Sequence, residues 1–292
     1  MNILVCVKQV PDTTIIKIDP VKHTLIREGV PSILNTFDAY ALETALRVRQ
    51  SVGDARITAL CMGPEQAKEV LKECISVGAD AAYLVSDRAF GGSDTLATSR
   101  TLAAAIEVLE ERQGAKFDLV FCGKQAIDGD AAQVGPEIAQ HLDRALLTYA
   151  LEAEVEGNTV KIRRESDEGY DWYAAEMPAL ITVNKTAYDL RYPSLKGKMA
   201  ARKAVIETLT SAEVVVPEEK RGLKGSPTKV KKTFTPTLSK SGMRLEGLSG
   251  AEAGKKLADV DLPFGGKLVE KAALKKIHGT VIEELLERYH LI

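Results

Sequence analysis

The sequence predicts an α/β protein, a parallel sheet flanked by helices, and three observations lead there. Apolar runs of strand length recur at residues 3–7, 57–60, 82–85 and 119–122. The segments between them carry apolar residues at helical spacing. The runs are continuous rather than alternating, as in strands buried on both faces, and such strands joined by crossover helices form a parallel sheet.

Residues 3–7 (ILVCV) open the sheet. Two short β-prone runs, TIIKI and HTLIR within residues 14–27, are expected to pair as a small hairpin. The first helix is expected to start after Asn35, Thr36, Phe37 and Asp38 and to turn Ala39, Leu42 and Leu46 inward. The second begins at Gly63-Pro64, where a proline in first helical position loses no hydrogen bond. Its stripe is Ala67, Val70, Leu71 and Cys74. Ser93-Asp94 is a natural N-cap pair for the third helix, which buries Leu102, Ile106 and Leu109. After the fourth strand, Gly135-Pro136 is expected to interrupt a helix that continues through Ile138 and Leu142. Residues 159–164 and 170–175 flank Asp167-Glu168-Gly169 as an antiparallel hairpin, and residues 178–183 supply one more buried strand to complete the sheet.

From Lys185 onward basic residues dominate, through Arg191, Lys196, Lys198, Arg202 and Lys203. Residues 216–240 mix Pro, Gly, Ser and Lys without a hydrophobic period, the composition of an extended arm that needs a partner surface. A last helix carrying Leu274, Ile277, Val281 and Leu285 closes the chain. The expected division is an α/β domain over residues 1–215, and an arm with its helix over 216–292.

Composition narrows the function. In 292 residues, 45% hydrophobic and 27% charged with a formal net charge of -2, nothing marks a nucleic-acid partner. No apolar run approaches the ~20 residues of a membrane span, and Met1-Asn2 leads directly into a strand, so a cytoplasmic protein is expected. Cys6, Cys61, Cys74 and Cys122 lack CxxC spacing or a Cys/His cluster, which argues against zinc, an iron–sulfur cluster or a disulfide framework. Cys74 belongs to a helical stripe; Cys6 and Cys122 close apolar runs, with packing the first reading and ligand contact the second. His23, His141, His278 and His290 have no triad or metal partner nearby in the sequence, and Trp172 reads as a packing residue.

Ligands of an open parallel sheet bind at the carboxyl ends of strands, where the strand order reverses. Four unusual loops fall at such ends: residues 8–12, 61–64, 86–98 and 123–135. The last, GKQAIDGDAAQVG, allows close backbone approach at its glycines and leads into a helix whose free N–H groups suit a phosphate. Within it Asp128, Asp130 and Gln133 either bond a ribose or hold the loop in shape. The 86–98 loop is similar in kind: Gly91 and Gly92 precede Ser93 and Thr95, and Arg88 suits a pyrophosphate or carboxylate. Neither GxGxxG nor GxxxxGK[ST] occurs, so dehydrogenase and ATPase fingerprints are absent.

The run GKQAIDGDAAQVGP closely resembles the nucleotide-binding segment of electron-transfer flavoprotein β subunits. The likeness extends through VCVKQVPD, NTFDAYALE, CMGP, KIRRESDEGYDWYAAEMPALITV and RYPSLKGKMAARK, in that order. It implies a Rossmann-like sheet of the adenine-nucleotide-hydrolase-like kind, with β-hairpin additions and a C-terminal arm. It also implies a heterodimer with an α subunit, and the role of an electron carrier rather than a stand-alone enzyme. Nucleotide contacts would fall on Cys6, Asn35, Thr36, Phe37, Asp38, Met62, Gly123, Lys124, Gln125, Ala126, Ile127, Asp128, Gly129, Asp130, Ala131, Ala132, Gln133 and Val134, and the partner-anchoring leucine on Leu195. The openings VKQVPDTT and SDRAFGGSDTLATS and the arm GLKGSPTKVKKTF resemble the flavin-bifurcating group. That group carries FAD where others carry AMP, and passes electrons between NADH, ferredoxin and a dehydrogenase such as an acyl-CoA dehydrogenase. Gly129 stands where the AMP type tends to carry a further acid. A separate alternative is an enzyme that uses Asp128 or Asp130 with Mg²⁺ on a nucleotide phosphate.

Overall fold

A computed structural model of the chain describes residues 1–12, 17–18, 25–26, 31–231, 249 and 252. Its strands are β1 (Asn2–Val7), β2 (Gln9–Pro11), β3 (Lys17–Ile18), β4 (Leu25–Ile26), β5 (Ser32–Leu34), β6 (Arg56–Met62), β7 (Ala81–Val85), β8 (Leu119–Gly123), β9 (Ala145–Glu156), β10 (Thr159–Ser166), β11 (Gly169–Glu176), β12 (Ala179–Val183) and β13 (Glu207–Leu209). The helices are α1 (Thr36–Val52), α2 (Lys68–Val77), α3 (Thr95–Gln113), α4 (Val134–His141) and α5 (Leu195–Lys203).

The main sheet runs β11-β10-β9-β12-β8-β1-β6-β7-β13. Pairing is parallel from β9 across to β13. It turns antiparallel only where β10 joins β9 and β11. The α/β class expected from the sequence is the one observed. Alternate residues of each central strand face different helices. Ile3 and Val5 of β1 join Leu46, Leu71 and Phe121 in one buried cluster, while Leu4 and Cys6 join Ile106, Val120 and Ile138 in the other. Burial on both faces is why these strands read as unbroken apolar runs.

The expected stripes are buried in α1, α2 and α3, although Ala39 is only partly so. Asp94 caps α3 by accepting from the Ala97 amide at 3.1 Å. The β10–β11 hairpin closes through Asp167-Glu168, with Ser166 opposite Gly169. The pairs Lys17 with Ile26 and Ile18 with Leu25 fit the early hairpin.

Several expectations need correction. Helix α1 begins at Thr36, so Asp38 lies in its first turn. Pro64 is not the first residue of α2; it precedes a short 3₁₀ turn, Glu65–Ala67, from which α2 continues. Gly135-Pro136 opens α4 instead of interrupting it, because proline is tolerated within the first turn. Strand β12 is the further buried strand expected at 178–183, and it lies inside the sheet between β8 and β9. Trp172 is 50% exposed on β11 instead of packed. The early part of the arm is not without a seat in its own chain: the Leu223 amide donates to the Gly91 carbonyl, and Ser226 and Thr228 bond to Asp94. The closing helix at 274–285, like His23, His278 and His290, lies outside the described residues; His141 is exposed at the end of α4.

One buried ion pair fixes where β9 enters the sheet. Arg144, just before it, pairs through Nη2 with Glu110 of α3 and donates through Nη1 to the Phe117 carbonyl at 2.9 Å. The same Glu110 oxygen accepts the Phe117 amide at 2.7 Å. Removing one member of such a pair strands the other charge in a dry site. Arg144→Leu is expected to lower unfolding stability by about 3–5 kcal/mol, measured by urea denaturation.

Candidate nucleotide-binding site

The strand order reverses between β8 and β1, which both pair in parallel with their loops leaving at the same end of the sheet. A cleft of about 940 Å³ opens there. All four loops singled out in the sequence contribute to it: Lys8 from the first, Met62, Gly63 and Pro64 from the second, Ser86 through Asp94 in part from the third, and most of 123–135 from the fourth.

The cleft depends on the first turn of α1. Asp38 is 6% exposed, and its two oxygens accept the Lys8 amide at 2.7 Å and the Gly123 amide at 3.1 Å. One carboxylate therefore joins the ends of β1 and β8. Asn35, 1% exposed, does the same for the loop beyond β8: Nδ2 donates to the Gln125 carbonyl at 2.9 Å, and Oδ1 accepts the Ile127 amide at 3.0 Å. Gly123 is required by this contact, since a Cβ there would lie 2.7 Å from the Phe37 carbonyl carbon and overlap Asp38 Oδ1. Burial pushes the Asp38 carboxyl up to about 7, against the opposing pull of the bonds from Asn35, Lys8 and Gly123.

The 125–134 segment is held in an uncommon shape. Asp130 and Ala132 have φ of 50 and 54 degrees, a left-handed conformation that alanine adopts only at a cost. Gln133 returns to the right-handed region at φ -107 and ψ -31 degrees. Residues of opposite hand in succession turn neighbouring N–H groups to one side, the arrangement of an anion-binding nest, and here it leads into α4. Gly129 faces the cleft with nothing within 4 Å of where its Cβ would be.

Of the predicted contact residues, Cys6, Asn35, Asp38, Met62, Gly123, Lys124, Gln125, Ala126, Gly129, Ala131, Ala132, Gln133 and Val134 line the cleft. Thr36, Phe37, Ile127, Asp128 and Asp130 are not among its lining residues. Both acids are engaged in the loop itself: Asp128 accepts from Lys8 Nζ at 2.7 and 2.9 Å, and Asp130 from Gln125 Nε2 at 2.7 Å. Of the two roles left open for them, shaping the turn is the one these bonds serve. The third loop forms the opposite wall with Arg88, Phe90 and Ser93, and Thr95 crosses to Gln133 at 2.9 Å. Sequence reasoning missed Thr228 and Val230, which line the cleft from the arm. No residue-type pattern there points to it.

Fold and cleft define the class: an α/β protein whose ligand crevice sits at the switch point of a parallel sheet. The family described as "Electron transfer flavoprotein domain" matches residues 22–214. The chain is 52% identical over 247 residues to the electron transfer flavoprotein subunit beta of Megasphaera elsdenii, covering 84% of this chain and 92% of that protein. It is 46% identical over 247 residues to the caffeyl-CoA reductase-Etf complex subunit CarD of Acetobacterium woodii, covering 85% and 92%. With protein FixA of Azotobacter vinelandii the identity is 42% over 240 residues, covering 81% and 84%. The chain belongs to the electron transfer flavoprotein family, among its β subunits, and its work is electron transfer. No described helix is long and apolar enough to cross a membrane.

The two cleft glycines are expected to respond differently. Gly129→Val places its side chain in open cleft space, so the protein should fold with unchanged thermal stability and lose bound nucleotide. Gly123→Ala should instead lower the melting temperature, because it breaks the packing of Asp38 against β8. The Asp38 carboxyl also sets a pH dependence. Its pKa is raised on folding, so the folded state holds more protons between about 4 and 7, and stability falls as pH rises through that window. In Asp38→Asn this contribution vanishes. The stability of wild type minus that of the variant, from urea unfolding at stepped pH, should decrease from pH 4.5 to 7.5.

Proposed function

We propose that this chain is the small subunit of a heterodimeric, flavin-bifurcating electron-transfer flavoprotein, and that its cleft holds FAD. The single observation that carries this reading is the extent of the cleft. It runs from the glycine loop after β8 to the loop after β7 and on to Thr228 and Val230 of the arm. An adenylate resting on the loop after β8 would leave the wall formed by the loop after β7 without an occupant, whereas a dinucleotide reaches both.

The chain's own residues supply binding and placement. The amides near residues 131–134 and the start of α4 receive phosphate, and Asn35 and Asp38 hold the loop that presents them. Arg88 gives the far wall a positive charge. Phe90 and Leu102 line the cleft with apolar surface suited to a ring system. A bound flavin supplies the one- and two-electron chemistry; no side chain here needs to act as acid, base or nucleophile. In this reading an α subunit carries a second FAD and receives the C-terminal region from residue 216 onward, in a cytoplasmic complex. Electrons pass between NADH, ferredoxin and a dehydrogenase of the acyl-CoA type, with Leu195 as the anchor on that enzyme. The relative named as part of a caffeyl-CoA reductase complex supports a CoA-ester partner. A cleft holding AMP in a non-bifurcating carrier is the second reading. The Mg²⁺-dependent enzyme loses its support, because Asp128 and Asp130 are bound to Lys8 and Gln125.

The test is flavin per heterodimer, by extraction and absorbance from the chain co-expressed with its α-type subunit. Two flavins and no AMP are expected in wild type, and one flavin in Gly129→Val. One flavin with AMP in the wild-type extract would overturn FAD and bifurcation while leaving the family standing.

A further inference from the structure

The segment between β12 and α5 contains almost no regular structure, yet it is held to α1 at two places. Arg191 donates to Glu43 through Nε at 2.7 Å, Nη2 at 2.9 Å and its own amide at 3.3 Å. Glu43 is 3% exposed and also accepts from Arg47 at 3.0 Å. Burial alone would raise the Glu43 carboxyl, but the Arg191 and Arg47 charges outweigh it and hold the group below the ordinary carboxylate range. The second hold is Arg47 stacked over the Tyr188 ring, 4.1 Å from its centroid. Beyond these contacts the chain turns outward. Tyr192 is 93%, Leu195 79% and Met199 52% exposed, with Ser194 capping α5 through the Gly197 amide at 3.0 Å.

Leu195 and Met199 stand on α5, which is seated on α2 with Gly197 close against the Ser76 carbonyl, so the freedom left to remove is that of residues 184–194, which carry Tyr192 and lead into α5. A two-point guanidinium–carboxylate contact removes it, because the planar fork fixes direction as well as distance. The buried member of the pair belongs to α1, the helix whose first turn shapes the nucleotide cleft, so the clasp is referred to a helix packed on the core. Glu43 is among the buried residues of α1 and is not one of the residues lining the cleft.

We infer that Arg191 and Glu43 are positioning residues for partner docking: they fix the segment that carries Tyr192 and leads into α5, so that Tyr192 and the α5 residues Leu195 and Met199 meet an apolar pocket on the dehydrogenase already in place. This rests on the reading of Leu195 as the partner anchor. The intact heterodimer is assayed with an acyl-CoA dehydrogenase as its electron partner, in wild type, Arg191→Gln, Arg191→Lys and Leu195→Ala. Amide exchange of residues 186–194 and flavin content are measured alongside. Arg191→Gln is expected to speed exchange in that segment and to raise the KM for the heterodimer about tenfold, with kcat and flavin content unchanged. Arg191→Lys, which keeps the charge but not the fork, should fall between, and it carries the same test if Arg191→Gln lowers the yield of folded protein. A KM unchanged in both Arg191 variants while Leu195→Ala raises it overturns the clasp and leaves the docking reading intact. A KM unchanged in all three variants refutes docking through this segment, and the clasp as a docking device falls with it.

Discussion

The carboxylate of Asp38 is the contact on which the rest of the site depends. Parallel strands end with amides that no neighbour in the sheet accepts, and at the switch point two such ends lie side by side. Asp38 takes one amide from each, Lys8 and Gly123, from the first turn of a helix that packs over both strands. With that bond in place Asn35 reaches the next segment, Gly123 is confined to the absence of a side chain, and the loop to α4 leaves in one direction only. Burial of a charge is a cost that two amides and the nearby lysine only partly offset, which is why the carboxyl titrates so high.

Much of this was legible in the sequence because it follows from burial. Strands covered on both faces read as largely apolar runs, and β1 after Asn2, β8, β12 apart from Thr182, and β6 apart from Arg56 and Thr58 do so. What escaped notice was built differently. Strand β9 is twelve residues rich in Ala, Leu and Glu, and its alternation is broken where Tyr149 takes a φ of 62 degrees at a bulge. Leu147 and Ala150, three apart, therefore face inward, and no period of two can be read across them. Helix α5 buries a single residue, Ala201, so it shows no stripe. The seat of the arm is polar, made through Ser226, Thr228 and Asp94, and leaves no hydrophobic signal.

At the site, sequence reading identified the loops but not the assignments within them. Glycines and a strand end marked where a ligand could approach. Which acids face the cleft and which are spent on the loop depends on partners 120 residues away, as with Lys8 and Asp128. The same holds for Thr228, brought to the cleft by a bond across 134 residues to Asp94.

The two margins of the main sheet are unequal. At one end β13 is three residues long, too short to template another strand. At the other, β11 runs for eight residues, has no strand on its outer side among the described residues, and sets Tyr170, Trp172 and Tyr173 in partly solvated positions. A long edge with exposed aromatic residues is a template on which strands of other molecules can pair, a source of self-association separate from net charge.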